Sequence, residues 1–338
     1  MTAESNNIKK NFKHKKLVIV LSVILAVIIC FISAYFIIIK VGEAKLRKKL
    51  NADTAKLPVN DSDVLPEDAD AYYNGAAYNY NEKLINILLI GVDNRTVNTG
   101  QKHQADALYL ISLDPDSKAV NVIAISRNTL AEMDICDSSG QVFSTAKQQL
   151  CLSYSYGINH KQSSELACKA VSNFLYGVPI NGYYTIFMNS IKDIVNSVGG
   201  VPVHITEDLT SVNSKFKAGS DVTVTGDTVL AYLRHRGESN EPRLERQKVF
   251  ILSFVSQAKK AVLKDLSLPS KMYNKLAAHT VTDVSAASAV YLASEALNAD
   301  FRLLNIAGAT GSDGFYETFT ADEEQLYSLL IDVFYKKQ

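Results

Sequence analysis

The sequence predicts an α/β protein: an α/β/α sandwich with a mixed central sheet, preceded by one N-terminal transmembrane helix. Three observations predict it. Residues 17–39 are 23 consecutive positions without a charged side chain. From about residue 84, apolar runs of strand length alternate with stretches of helical periodicity, as expected for a sheet covered on both faces. Two of the runs, 107–113 and 119–126, flank the turn sequence DPDSK, so that pair is a hairpin and the sheet is mixed.

Composition narrows the possibilities further. The chain has 338 residues, 47% hydrophobic and 21% charged, which excludes a wholly disordered polypeptide. Its formal net charge is zero, but residues 1–50 hold ten Lys/Arg and two Glu, leaving 25 basic and 33 acidic residues in 51–338. An acidic body is a poor neutraliser of phosphate backbones, so nucleic acid is not an expected partner.

Taken in chain order, residues 1–16 form a basic tail and residues 17–39 the span. At ~1.5 Å per residue that helix is about 35 Å long, enough to cross a hydrocarbon layer of ~30 Å. A cleaved signal peptide is the alternative, but its apolar region is usually only about 7–15 residues long. Five Lys/Arg precede the span and five follow it at 40–49, so charge does not orient it. The short tail favours a cytoplasmic N-terminus and an extracytoplasmic body. Residues 40–83 read as a basic juxtamembrane helix (40–50) followed by an acidic, Pro-containing stalk (51–82).

The body is expected to start near residue 84 and run to 338. Strands are expected at 84–91 (LINILLIG), 107–113, 119–126, 183–188, 201–205 and 301–308. Helices are expected at 163–176, ended by Gly177, at 189–198, ended by Gly199-Gly200, then at 226–234, about 243–263, 284–298 and at the C-terminus. Cys30 lies in the span. Cys136, Cys151 and Cys168 allow one disulfide, with Cys151–Cys168 the pairing expected if any forms, or three reduced thiols.

Three features stand apart from the core pattern. The first strand ends in Gly91-Val92-Asp93-Asn94-Arg95, and ligands in α/β sheets sit outside the carboxyl ends of strands; a surface turn with an Asp–Arg pair is the plainer alternative. A second strand ends in Ser126-Arg127-Asn128-Thr129, where Arg127 either meets an anion or reaches solvent. Arg234, Arg236, Arg243 and Arg246 fall within 13 residues of an otherwise acidic body. Such clustering suits phosphate, although neighbouring glutamates allow a solvated charged face. There is no GxSxG, Walker A sequence or HExxH, and no GxGxxG after a strand.

In order and spacing, the segments NILLIGVDNR, QADALYLISLDPDSKAVNVIAISRNT, LSYSYG, FLYGVPINGYYTIFMNSIKDIVNSVGGVPVHI and GDTVLAYLRHR…RLERQ resemble the LytR–CpsA–Psr proteins of bacterial envelopes. The likeness covers roughly residues 84–255. It implies a membrane-anchored phosphotransferase that moves a glycopolymer, such as teichoic acid or capsule, from a polyprenyl-pyrophosphate carrier to peptidoglycan and releases polyprenyl phosphate. It also implies an apolar tunnel for the lipid and Mg²⁺, or Mn²⁺, at its mouth. Carried over by position, Asp93 and Asp106 match the metal carboxylates. Arg127, Arg234, Arg236 and Arg243 match the pyrophosphate-binding arginines, and Gln247 a further polar contact. Arg95 matches an arginine that orients Asp93 or contacts phosphate, so Asp93, Arg95 and Arg127 are the catalytic candidates.

Three departures bear on activity. Gln104 stands where the family has Arg, and Asn128 and Asn240 stand where it has Asp. An amide cannot accept a proton, and a general base contributes typically 10²–10⁴-fold. A degenerate relative that binds a polyprenyl-phosphate glycan without turnover, or regulates envelope assembly, is therefore the rival expectation.

Overall fold

The computed structural model describes residues 33–48, 57, 68–93, 103–235 and 241–338, with side chains from 245 in the last stretch. Positions 17–32 of the expected span, like much of the expected stalk, lie outside the described residues. Among the described residues no helix is long and apolar enough to cross a membrane. Residues 33–47 form a helix, α1.

Residues 71–80, expected in the stalk, are instead two strands, β1 (Ala71–Tyr73) and β2 (Ala76–Tyr80), paired antiparallel. There follow β3 (Ile85–Val92), β4 (Ala105–Asp114), β5 (Ala119–Ile125), β6 (Leu130–Cys136), β7 (Val142–Gln149), α2 (Leu150–Ser153), α3 (His160–Phe174), β8 (Gly182–Phe187), α4 (Ile191–Ser197), β9 (Val201–His204) and β10 (Asp221–Val224). The C-terminal part holds α5 (Gly226–Arg234), α6 (Glu241–Lys264), α7 (Leu268–Leu276), β11 (Thr280–Thr282), α8 (Ala286–Leu297), β12 (Asp300–Asn305), β13 (Gly308–Ser312), β14 (Glu317–Ala321), α9 (Glu323–Phe334) and β15 (Tyr335–Lys337).

The central sheet has six strands in the order β11-β8-β3-β4-β5-β12. It is mixed, as the DPDSK turn requires: β3 and β8 are parallel, as are β5 and β12, while β4 runs antiparallel to both its neighbours. One face packs Leu88, Ile90, Leu108, Leu110 and Ile123 with residues of α3 and α9. The other packs Ile85, Ile87, Leu113, Val120 and Val122 with Leu46 of α1 and Tyr291 of α8. A separate cluster joins α4, α5, α6, β9 and β10.

Helix α1 is built into this body. Leu46 is buried, and its carbonyl accepts from the Asn181 side chain at 3.3 Å. Ser288 Oγ donates to the Gly42 carbonyl at 3.0 Å, and a Cβ on Gly42 would lie 2.2 Å from the Ala287 carbonyl oxygen. Only glycine permits so close an approach of two helices.

Most departures from the expected elements are short paired strands, and helix α7 also falls where no element is expected. Strands β7 and β13 are exposed along most of their length and show little apolar alternation. Residues 335–337 leave α9 and add to β2 as β15, burying Tyr335 against Tyr80. Helix α3 begins three residues earlier than expected because the Asn159 side chain accepts from the Gln162 N–H. Cys151 is a free thiol, so the Cys151–Cys168 disulfide does not form. Burial pushes the Cys151 thiol up in pKa, and Arg127 opposes that shift.

Candidate functional site

The carboxyl ends of β3 and β5 lie on either side of the amino end of β4, because β4 is antiparallel to both. Asp93 directly follows β3, Arg127 follows β5, and Asp106 lies near the start of β4. Between β3 and β4 the register runs Gly91↔Ala107 and then Val92↔Ala105. Asp106 is thus the extra residue of a β-bulge, and a bulge re-aims the side chain it carries. The Asp93 N–H donates to Asp106 Oδ2 at 3.3 Å.

Each carboxylate is met by an arginine. Arg127 Nη1 donates to Asp106 Oδ1, and Arg127 Nη2 donates to Gln104 Oε1 at 2.5 Å. Arg234, the last residue of α5, donates from Nη2 to Asp93 Oδ2 at 3.1 Å. The turn carrying Arg127 is closed by the Thr129 N–H on the Ser126 carbonyl at 3.1 Å and fixed from below by the Cys151 N–H on the Arg127 carbonyl at 3.0 Å. The structure therefore joins Arg127, Asp106, Asp93 and Arg234 in one polar cluster at the carboxyl edge of the sheet. All four side chains are partly exposed, so the cluster is open to a ligand.

Other expected site residues fall differently. Arg95 and Arg236 lie outside the described residues, as does Asn240. Arg243 is in the first turns of α6, where side chains are outside the description. Gln247 donates from Nε2 to the Leu233 carbonyl at 3.1 Å, which holds the last turn of α5 and so positions Arg234. Arg246, part of the basic run, is structural: it is 5% exposed, pairs with Glu207, donates to the His235 carbonyl and lies over the Tyr232 ring.

Two groups near the cluster were not expected. His103 and His160 have ring centroids 5.4 Å apart, and His160 packs edge-on against Phe187 at the end of β8. Burial, and then the charge of His103, lowers the pKa of His160. Glu317 of β14 reaches Asn128, next to Arg127. Neither His160 nor Glu317 lies in a motif, because each comes from a distant element.

Below the cluster the two faces of the sheet differ. Leu88, Leu110 and Ile123 are closed off completely. One position along the same strands, Tyr184, Leu89, Tyr109 and Ala124 form a row across β8, β3, β4 and β5, and every one keeps accessible surface. The next row toward the cluster, Ile186, Gly91 and Ala107, is also only half-buried and mostly small. Burial raises the Tyr109 phenol in pKa although its surface stays reachable. Tyr109 and Tyr184 pack against the apolar cluster shared with α1 and α8. That apolar strip ends at Asp93 and Arg127.

Asp93 and Asp106 offer hard oxygen donors and are linked through the Asp93 N–H, and no group of three or more metal-ligating side chains exists among the described residues. Two carboxylates fit a magnesium-type ion whose remaining ligands are water and substrate phosphate.

A model of the LytR_cpsA_psr family matches residues 43–329. TagV of Bacillus subtilis (strain 168), a polyisoprenyl-teichoic acid–peptidoglycan teichoic acid transferase, is 24% identical over 297 residues, 85% of this chain and 71% of that protein. TagU of Bacillus mycoides (strain KBAB4), which bears the same transferase name, is 31% identical over 163 residues, so the match spans about half of each protein (48%). Among solved structures, Bacillus subtilis TagV superposes with a TM-score of 0.59 at 22% identity, covering 74% of this chain and 96% of that one. TagT bound to LIIa-WTA superposes with a TM-score of 0.56 at 18% identity, covering 74% and 89%. These likenesses show that the fold, with its mixed central sheet, is shared.

Proposed function

The chain belongs to the LytR_cpsA_psr family, and from that premise we propose that it is a phosphotransferase that attaches a glycopolymer from a polyprenyl-pyrophosphate carrier to peptidoglycan, releasing polyprenyl phosphate. The relatives' names as teichoic acid transferases support the reaction class. The observation that carries the reading is the meeting of Arg127, Asp106, Asp93 and Arg234 at the head of an apolar strip. A charged diphosphate joined to a long hydrocarbon needs that combination.

In this reading Arg127 and Arg234 hold the diphosphate oxygens, since guanidinium forks bind phosphate in two-point geometry. Arg236 and Arg243 add charge from the same stretch of chain. Gln104 orients Arg127, and Gln247 holds the end of α5. Leu89, Tyr109 and Tyr184 line the prenyl path. Asp93 and Asp106 would hold Mg²⁺ or Mn²⁺, which when bound neutralises charge on the transferring phosphate. An acceptor hydroxyl attacks the phosphorus that bears the glycan, and the bridging oxygen leaves with polyprenyl phosphate.

The uncharged run 17–39 supports a single-pass anchor with a cytoplasmic tail and an extracytoplasmic body. Mixing the full-length protein with a lipid-linked pyrophosphate glycan, Mg²⁺ and peptidoglycan fragments tests the proposal. Polyprenyl phosphate should appear together with glycan-bearing fragments; neither appearing with Mg²⁺ or Mn²⁺ would refute it.

One observation favours a second reading. Gln104 and Asn128 flank Arg127 with uncharged amides, which suits a protein that binds the carrier without turning it over. Tight lipid binding with no release of polyprenyl phosphate would select that reading.

A further inference from the structure

The turn Ser126–Thr129 points its two central side chains at different partners. Arg127 reaches Asp106 and Gln104, whereas Asn128 reaches the β13–β14 hairpin. Asn128 Nδ2 donates to Glu317 Oε1 at 3.3 Å, and the Asn128 carbonyl accepts from the Phe319 N–H at 2.9 Å. Thr129 bridges Phe319, and Gln149 Nε2 donates to the Glu317 carbonyl at 2.6 Å. The backbone of Glu317 is thereby fixed beside the arginine turn by contacts that do not involve its carboxylate. The side chain itself stays exposed.

Asp93 and Asp106 each face an arginine, so they sit on the donor side with the diphosphate charge. Glu317 differs from them in being held by a neutral amide. We propose that Glu317 is the acceptor-side carboxylate of this site: with Asn128 it binds the incoming hydroxyl and takes its proton. The inference rests on the phosphotransferase reading and adds to it a residue far outside the motif region. In the step, the acceptor O–H bond breaks and its oxygen forms the new bond to phosphorus. The bridging P–O bond breaks with its electron pair leaving on polyprenyl phosphate, and the proton passes to the Glu317 carboxylate. The position of this carboxylate answers the loss of one at 128: the charge comes from the hairpin instead of from the turn.

The test uses full-length protein, with donor binding and transfer measured separately. E317Q keeps an oxygen for the Asn128 amide and removes the charge. Its kcat should fall about 100-fold, within the range of a lost general base. Donor affinity should stay within about twofold, and the acidic limb of the kcat–pH profile should flatten. Adding N128D to E317Q should restore most of the rate by returning a carboxylate to the turn. E317Q within about threefold of wild type would overturn the proposal while leaving the phosphotransferase reading intact. So would a parallel loss of donor affinity and rate, or no recovery with N128D. If the wild-type protein does not turn over the donor at all, the reading and the role of Glu317 fall together.

Discussion

Arg234 donates to Asp93 at 3.1 Å across 141 positions of the chain, tying the end of α5 to the end of β3. Arg127 holds Asp106 in the same way, and the Asp93 N–H links the two pairs. Alternating cations and carboxylates keep the cluster balanced before a ligand arrives. A divalent ion bound by the carboxylates would leave both arginines to the diphosphate.

This arrangement predicts a separation of roles. Asp93→Asn and Asp106→Asn should each raise the Mg²⁺ concentration for half-maximal transfer at least about tenfold, as expected for loss of a first ligand or its close support. EDTA should abolish transfer in the wild type, and Mg²⁺ or Mn²⁺ should restore it. Metal titrations of transfer provide the check, and an unchanged metal requirement in both variants would remove the carboxylates from that role.

Arg246 should behave as a folding residue. It is buried, and its loss removes the pair with half-buried Glu207, the hydrogen bond to the His235 carbonyl and the contact with the Tyr232 ring. Arg246→Ala should lower the urea midpoint sharply. Arg246→Met, which keeps the bulk over Tyr232 without the charge, should lose less only if Glu207 is also replaced by an uncharged residue.

The sequence made some of this legible and hid the rest for identifiable reasons. Apolar strands 84–91, 107–113 and 119–126 must be covered on both faces, so the centre of the sheet and the turn at DPDSK could be read directly. Asp93 and Arg127 could be placed because each follows a strand at one edge of the sheet, and Arg234 because it belongs to a basic cluster in an acidic body. Arg246 could not be told from its neighbours, since a basic run does not reveal which member points inward. The bulge at Asp106 depends on a register between two strands, which no local pattern encodes. Glu317 and the β15 strand depend on contacts 189 and 255 positions or more away. The 71–80 segment looked like a linker because its Tyr, Asn and Ala residues bury little by themselves; it becomes a strand pair when the C-terminus supplies a partner.

Gly42 should be intolerant of side chains. The Ala287 carbonyl occupies the space of a Cβ, and overpacking of this kind costs about 1–3 kcal/mol. Gly42→Leu should raise hydrogen exchange at residues 33–47 and around Ser288 while leaving β3–β5 protected. Unchanged exchange would show that α1 does not depend on this contact.

The lowered pKa of His160 carries a pH dependence. Burial disfavours its charged form, so the native state takes up a proton at lower pH than the unfolded chain, whose His titrates near 6.5. The stability associated with neutral His160 is present above that value and is lost as pH falls below it. Thermal midpoints measured between pH 7.5 and 5 should fall toward the acid side. His160→Phe, which can keep the stack with Phe187, should flatten that slope; an unaltered slope would assign the effect to other groups.

Native mass spectrometry of the full-length protein, purified in mild detergent, tests the meeting of arginines and carboxylates most directly. The wild type should carry a polyprenyl species bearing phosphate, and R127A and R234A should each lose it in a form that still melts cooperatively. Retention of the lipid by folded R127A and R234A, or a wild type that carries none even after incubation with a polyprenyl-pyrophosphate glycan, would contradict the account.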